Sequence, residues 1–345
     1  MTALPRLSDR VWSVLACPHC GAPLARAAAG ARCDRCGTEF GPAPSGQLDL
    51  RLRHPQRRPL ELTLPAPGAP LDTAWLEPGP LRPNPAPEID VSRVTGPCHL
   101  PRDLRSWFPR ATTSGVAGVA GADGGAGAAA GAGVAGPAGG GTGAAAGEGG
   151  TGAGRELALD LGCGAQVHQE VCELAGFEYV GLDYSTPEAM LLGDAQALPF
   201  RDGAFGFVLT IAVLEHVPFP LLMMREAHRV LRPGGRLLGT VAFLEPFHQD
   251  SLHHHTHLGA LHALRFAGFR VDALAPSGGW SGLVAQAHMG LFPHSPRWLA
   301  RLLVGPLLAL HRLWWRVGRL ADPGATESRR LLKNSGAILF LATRD

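Results

Sequence analysis

Lysine is almost missing from this chain. Lys333 is the single lysine among 31 basic residues, and 29 acids balance them to a net charge of +2. So small an excess does not by itself point to nucleic acid. The use of arginine for lysine, with the surplus of Ala, Gly and Pro, reads as coding bias more than a charge strategy. Long apolar runs are absent as well: none reaches the ~18 residues of a spanning helix. The first twenty residues carry Asp9 and Arg10 and lack the apolar segment of a signal peptide. The expectation is a cytoplasmic protein, and 345 residues allow two domains and a sizeable core.

Two stretches lack the patterning of folded structure. Residues 114–154 are almost entirely Gly and Ala with scattered Thr. They bury too little to offset backbone entropy, so a dispensable, disordered insertion is expected. Residues 53–113 are dense in proline over their first half and read as a connector. Leu100 to Trp107 could form a short helix ahead of the first strand of the next domain.

That strand is the apolar run Leu157, Leu159, Leu161, which ends in Gly162-Cys163-Gly164. Glycines at a strand end allow a tight turn and let a ligand approach the backbone. The next strand, Tyr179 to Asp183, ends in an acid placed to accept hydrogen bonds from ribose hydroxyls. A dinucleotide site would want a third glycine, and this one has Val167 instead. Asp160, two residues before the first glycine, suits an amine-bearing or cationic ligand better than a pyrophosphate.

These residues resemble motif I of the class I S-adenosylmethionine-dependent methyltransferases. Further segments follow in the family's order: Gly193-Asp194-Ala195-Gln196-Ala197-Leu198-Pro199-Phe200, Phe205 to Leu209, Val213-Leu214-Glu215-His216-Val217, and Arg229 to Leu237 through Pro233-Gly234-Gly235. The resemblance covers about 155–275. It implies an α/β, Rossmann-like sheet with S-adenosylmethionine as cofactor. It further implies that Asp183 holds the ribose, that Asp194 and the Ala195 backbone read the adenine, that Gly162 and Gly164 make room for the methionine moiety, and that Asp160 steadies its amine. His216 belongs mainly to cofactor-pocket architecture, with a catalytic role as the alternative. Only Tyr184 to Glu188 separate the second strand from Ala189-Met190-Leu191-Leu192, too few for the usual crossover helix. That corner is expected to be thin and to expose the adenosine end.

Four of the seven cysteines form two Cys-x-x-Cys knuckles, Cys17/Cys20 and Cys33/Cys36, each followed by glycine. Twelve residues separate the knuckles. Four thiolates at this spacing match a closed, structural zinc site. A disulfide framework is the weaker reading in a cytosolic protein. His19 reads as a bystander. Residues 10–52 resemble the zinc ribbon found in front of some bacterial methyltransferases and in methyltransferase-activating proteins.

After the fifth strand (Leu237 to Val241) comes a loop with five histidines and two carboxylates, Glu245 to His257. At this edge of the sheet it should face the methyl acceptor. His248 and His253 are candidates for a catalytic base. A metal site is an alternative, with His253 and His257 on one helix face. So is a plain helix start capped by Asp250 or Ser251. Within the insertion 276–334, residues 297–320 predict an amphipathic helix broken near Pro306. A substrate-covering hairpin packed on the sheet is the preferred reading, and peripheral membrane contact the alternative. Ala337 to Ala342 should insert as the last, antiparallel strand of a methyltransferase domain spanning 155–345.

The expected activity is methyl transfer to an unidentified acceptor, a small molecule or a lipid-linked substrate. RNA methylation using the ribbon, and a non-catalytic adaptor, are the alternatives. The oligomeric state is left open.

Overall fold

The computed structural model describes residues 7–56, 86–96, 98–112, 155–247, 250–324 and 326–345. The Gly/Ala-rich stretch 114–154, much of the Pro-rich connector and His248 lie outside the described residues.

The chain enters through α1 (Asp9–Val14), where the Ser8 hydroxyl accepts from the Val11 amide and caps the first turn. A three-stranded antiparallel ribbon follows: β1 (Leu24–Ala27), β2 (Gly30–Cys33) and β3 (Glu39–Phe40). The next strand, β4 (Leu48–Asp49), leaves the ribbon and joins the main sheet. After the connector, α2 (Arg102–Arg105) buries Leu104 where a short helix was expected.

The main sheet comprises β4, β5 (Leu157–Leu161), β6 (Glu178–Asp183), β7 (Leu191–Leu192), β8 (Phe205–Ile211), β9 (Leu231–Ala242), β10 (Phe269–Pro276) and β11 (Ala337–Arg344). Its order is β10-β11-β9-β8-β5-β6-β7-β4. Only β11 runs antiparallel, inserted between β9 and β10 as anticipated. All five residues of β5 are buried, which fits a central parallel strand covered on both faces. Flanking helices are α3 (Gln169–Leu174), α4 (Pro220–Val230) and α5 (His257–Phe266). The insertion after β10 holds α6 (Gly282–Ala285), a π-helical turn (Gln286–Leu291), α7 (Arg297–Gly318) and α8 (Glu327–Asn334). This is the Rossmann-like sheet of the class I methyltransferases with one extra edge strand.

Ribbon and sheet share a core. Val14, Leu15, Phe40 and Leu48 belong to the same buried cluster as Leu159, Phe200 and Leu237. Phe40 and Phe200 are each 1 % exposed, which contributes about 1.5–3 kcal/mol apiece. Backbone bonds fasten the seam: Ala16 N donates to Pro199 O and Arg201 N to Val14 O, both at 2.9 Å. On the other face Phe207 stacks with Phe177 and meets Phe108 edge-on, at centroid distances of 5.4 and 5.0 Å.

The structure corrects several expectations. No helix joins β6 to β7, and Tyr184, Ser185, Pro187 and Glu188 of the short connection are exposed, as expected, but the edge of the sheet there is extended. There β4 pairs in parallel with β7, Leu48 against Leu191, and Gln47 Nε2 donates to the carbonyls of Thr186 and Pro187. The segment after the ribbon thus adds an edge strand beside β7. The helix after the histidine loop starts at His257 and is capped by Thr256, whose hydroxyl accepts from Gly259 N at 3.1 Å. Asp250 and Ser251 do not cap it, and His253 stands outside the helix, so the shared helix face with His257 does not form. α7 runs unbroken through Pro306. That proline is exposed, and water can take the carbonyl that loses its partner. α7 and α8 line a cavity together beside Phe243 and Leu244, and Ala300 is the only buried residue of α7.

Candidate active site

The turn after β5 is built by two glycines with different tasks. Gly162 has φ 76°, and its amide and that of Cys163 both donate to Leu182 O. A Cβ on Gly162 would lie 2.4 Å from Val213 Cγ2. Gly162 therefore lets the turn pack against the segment after β8. Gly164 has φ 50°, and nothing lies within 4 Å of where its Cβ would stand. It leaves an open cradle above the strand end.

Asp183 closes that cradle. Its Oδ2 accepts from Gly164 N at 3.1 Å, and its Oδ1 accepts from the amides of Ser185 and Thr186, each at 3.0 Å. Burial alone would raise its pKa. The three backbone N–H groups outweigh it and hold the carboxyl below its usual range, ionised at neutral pH. Gly193 N donates to Asp183 O at 2.9 Å and carries the next loop alongside. There Asp194 Oδ1 accepts from the backbone and side-chain nitrogens of Gln196, at 2.8 and 3.1 Å, and Ala195 is buried. Gly164, Asp183 and Asp194 thus converge at the carboxyl ends of β5 to β7.

Asp160 sits beneath the turn rather than on it. It is fully buried, and its Oδ2 accepts from the Tyr179 hydroxyl at 2.9 Å and meets His168 Nδ1 at 3.2 Å. Its Oδ1 has no partner. An open backbone cradle, an ionised acid at its rim and a buried acceptor below it fit a ligand with an amine and ribose hydroxyls.

Beyond the turn, Leu214–His216 form a short 3-10 turn that carries His216. The preceding reading passed over Glu215, which is fully buried. Its Oε1 accepts from Ala242 N at 3.3 Å and its Oε2 has no partner. Burial pushes its carboxyl up to about 7, and the nearby charge of Glu245 adds to the effect. A single acid in an apolar stretch at a strand end was the signal available for it. Its carbonyl accepts from Leu252 N and His253 N, so it also anchors the histidine loop.

The loop's histidines diverge. His253 Nε2 lies 3.3 Å from Pro218 O. His255 is half-buried, its Nδ1 unpartnered, and burial with the neighbouring His253 and His254 pushes it down to about 4. Burial lowers His257 too. Both are neutral imidazoles at pH 7. His254 lines a cavity of about 730 Å³ with Glu245, Arg301 and Arg312.

A larger cavity, about 1000 Å³, opens at Ile211, Ala212 and Thr240, the carboxyl ends of β8 and β9. Arg102 and Arg105 of α2 line it from one side, and Arg297 and Arg301 of α7 from another. Trp280 Nε1 donates to Glu245 Oε1 at 2.5 Å, and the Arg297 guanidinium lies 4.9 Å from the Trp280 ring centre. Sequence reasoning missed these arginines because they come from segments almost 200 residues apart and meet only in the fold.

The four knuckle cysteines gather with all Sγ atoms within 4.8 Å of one another. Cys17 and Cys36 are 3.6 Å apart and Cys20 and Cys33 3.4 Å, near the ~3.8 Å edge of a tetrahedron with 2.3 Å metal–sulfur bonds. Gly21 N donates to Cys17 O and Gly37 N to Cys33 O, both at 2.8 Å, so the knuckles share one geometry. His19 faces away: its Nε2 accepts from Arg53 N at 3.0 Å.

The chain is similar to known methyltransferases. Residues 159–239 match the family described as "Methyltransferase domain". An uncharacterized methyltransferase of Mycobacterium leprae (strain Br4923) is 32 % identical over 181 residues, spanning 44 % of this chain and 67 % of the relative. The ubiquinone/menaquinone biosynthesis C-methyltransferase UbiE of Methylobacterium nodulans is 30 % identical over 187 residues, 48 % of this chain and 70 % of the relative. A solved S-adenosylmethionine-dependent methyltransferase from Mesorhizobium loti aligns over 55 % of this chain and 92 % of its own, at 17 % identity and a TM-score of 0.34. The chain belongs to the class I S-adenosylmethionine-dependent methyltransferases. It is an enzyme of methyl transfer, built on that sheet and extended at its N-terminal side by the cysteine-bearing ribbon.

Proposed function

We propose that the acceptor is an anionic small molecule or lipid-linked compound, bound in the arginine-lined cavity beyond Ile211 and Ala212. The observation that carries this is the position of the cavity. It opens at the ends of β8 and β9, and Gly162 of the cofactor turn packs on Val213, one residue past Ala212. Four guanidiniums around one opening favour an acidic acceptor, since arginine pairs with carboxylate and phosphate through paired N–H donors.

S-adenosylmethionine, when bound, supplies an electrophilic methyl group on its sulfonium. The chain's part is placement. Asp183 accepts the ribose hydroxyls, Asp194 and Ala195 meet the adenine, and Gly164 leaves space for the methionine moiety. Asp160 stiffens the turn from below. Glu245, which lines this cavity, is placed to take a proton from the acceptor. Holding acceptor and methyl group in line is the main source of rate. Cys17, Cys20, Cys33 and Cys36 hold one zinc ion that rigidifies the ribbon.

The test is transfer of tritiated methyl groups into fractionated lysate by the wild type and by Arg102→Gln/Arg105→Gln. Label in acidic metabolites or lipids, reduced at least about tenfold in the variant at unchanged cofactor affinity, is the expected result. Label confined to RNA, or transfer indifferent to the arginines, would refute it.

A further inference from the structure

Among the described residues, nothing packs against one apolar face of α7. Trp298, Leu302, Leu310, Leu313, Trp314 and Val317 are 53–73 % exposed, and their spacing of three and four residues puts them on one side. Leu320, just past the helix, is 88 % exposed. The opposite side holds the buried Ala300 and Trp315, whose ring lies 5.8 Å from Lys333 Nζ. Soluble monomers rarely show water so continuous an apolar surface.

Charge indicates what covers it. From Arg297 to Lys333 the sequence has seven arginines and one lysine against Asp322 and Glu327. α7 itself contains no acid, and Arg316, with Arg319 just past the helix, is exposed beside the apolar side. Trp298 and Trp314 lie on the apolar side, where an in-plane helix sets its rings at the headgroup boundary. Among the described residues no helix is long and apolar enough to cross a membrane. A second copy of the chain would bring the same arginines and no carboxylate on α7 to pair with them.

We propose that α7 is a docking helix that lies in the surface of an anionic lipid bilayer, its apolar side among the acyl chains and Arg316 and Arg319 on the lipid phosphates. This stands on the exposed face and its charge and holds whatever the acceptor is.

The test is co-sedimentation of the full chain with vesicles of equal parts phosphatidylcholine and phosphatidylglycerol, and with phosphatidylcholine alone. The wild type should partition onto the anionic vesicles at least about tenfold more strongly. Leu302→Glu/Leu310→Glu/Trp314→Glu should abolish binding to both. Arg316→Gln/Arg319→Gln should weaken only the anionic preference. All three positions of the first variant face water, so circular dichroism and S-adenosylmethionine affinity should match the wild type. Failure of the wild type to sediment, or sedimentation unaffected by the glutamates, overturns the proposal. So does a dimer that the glutamate variant breaks while vesicle binding is absent, because α7 is then a contact between copies.

Discussion

The amide of Gly164 and Oδ2 of Asp183 meet at 3.1 Å, which ties the glycine turn to the end of the neighbouring strand. The bond makes one acid serve both the fold and the cofactor. Asp183→Ala leaves the amides of Gly164, Ser185 and Thr186 without an acceptor, a loss of about 1–3 kcal/mol in stability. It should also weaken S-adenosylmethionine at least about tenfold. Asp183→Asn keeps an oxygen for the amides, so its melting temperature should recover most of the way while affinity stays low. Calorimetric titration beside thermal unfolding separates the two effects, and full affinity in both variants would remove Asp183 from the site.

The two turn glycines should part company on substitution to alanine. Both sit at positive φ, so each change carries about 1–2 kcal/mol of backbone strain. Gly162→Ala adds the collision with Val213 and should lower Tm the more. Gly164→Ala meets no protein atom but fills the cradle, so its larger effect should be on cofactor affinity. The same order of Tm and affinity loss in both would contradict the division of labour.

Glu215 predicts a pH dependence of stability. Its carboxyl rises from 4.5 to about 7 on folding, so the folded state is favoured below pH 4.5. That stability is lost as pH climbs through 7 and the buried group must ionise. In Glu215→Gln the decline between about pH 4.5 and 7 should flatten, and above pH 7 the variant should melt higher than the wild type. Parallel Tm curves across this range would show that Glu215 is already ionised in the fold.

Metal removal should be felt beyond the ribbon. Cys33 is fully buried in the cluster that includes Leu159 and Phe200. One zinc per chain is expected by elemental analysis. Cys33→Ser should lose it and lower a single unfolding transition of the whole chain, rather than melt residues 10–52 alone. Two separated transitions in calorimetry would mean that the shared core is weaker than its packing indicates.

What the sequence made legible was local. The run Leu157 to Leu161, the glycines after it and the acid at Asp183 declare strand, turn and acceptor within two successive strands, and the structure brings them together. The cysteine spacing was readable for the same reason. The edge role of Leu48 and Asp49 was not, because two residues carry no period and their partner, β7, lies some 140 positions away. The helix start at Thr256 was obscured by Asp250 and Ser251, equally good caps by type. Nothing before the fold could show that α2 and α7 turn their arginines toward one opening.

The two margins of the sheet have a consequence for life in a crowded solution. An open strand edge invites another chain to add to it. β4 offers two residues of ladder, too short a template to recruit a neighbour. At the far margin β10 changes register between Val271 and Ala273, which twists the border. It also sets the charges of Arg270 and Asp272 along that border, where Arg270 pairs with both Asp272 and Asp345. An eight-stranded sheet is thereby closed at both ends to edge-on growth without being rolled into a barrel.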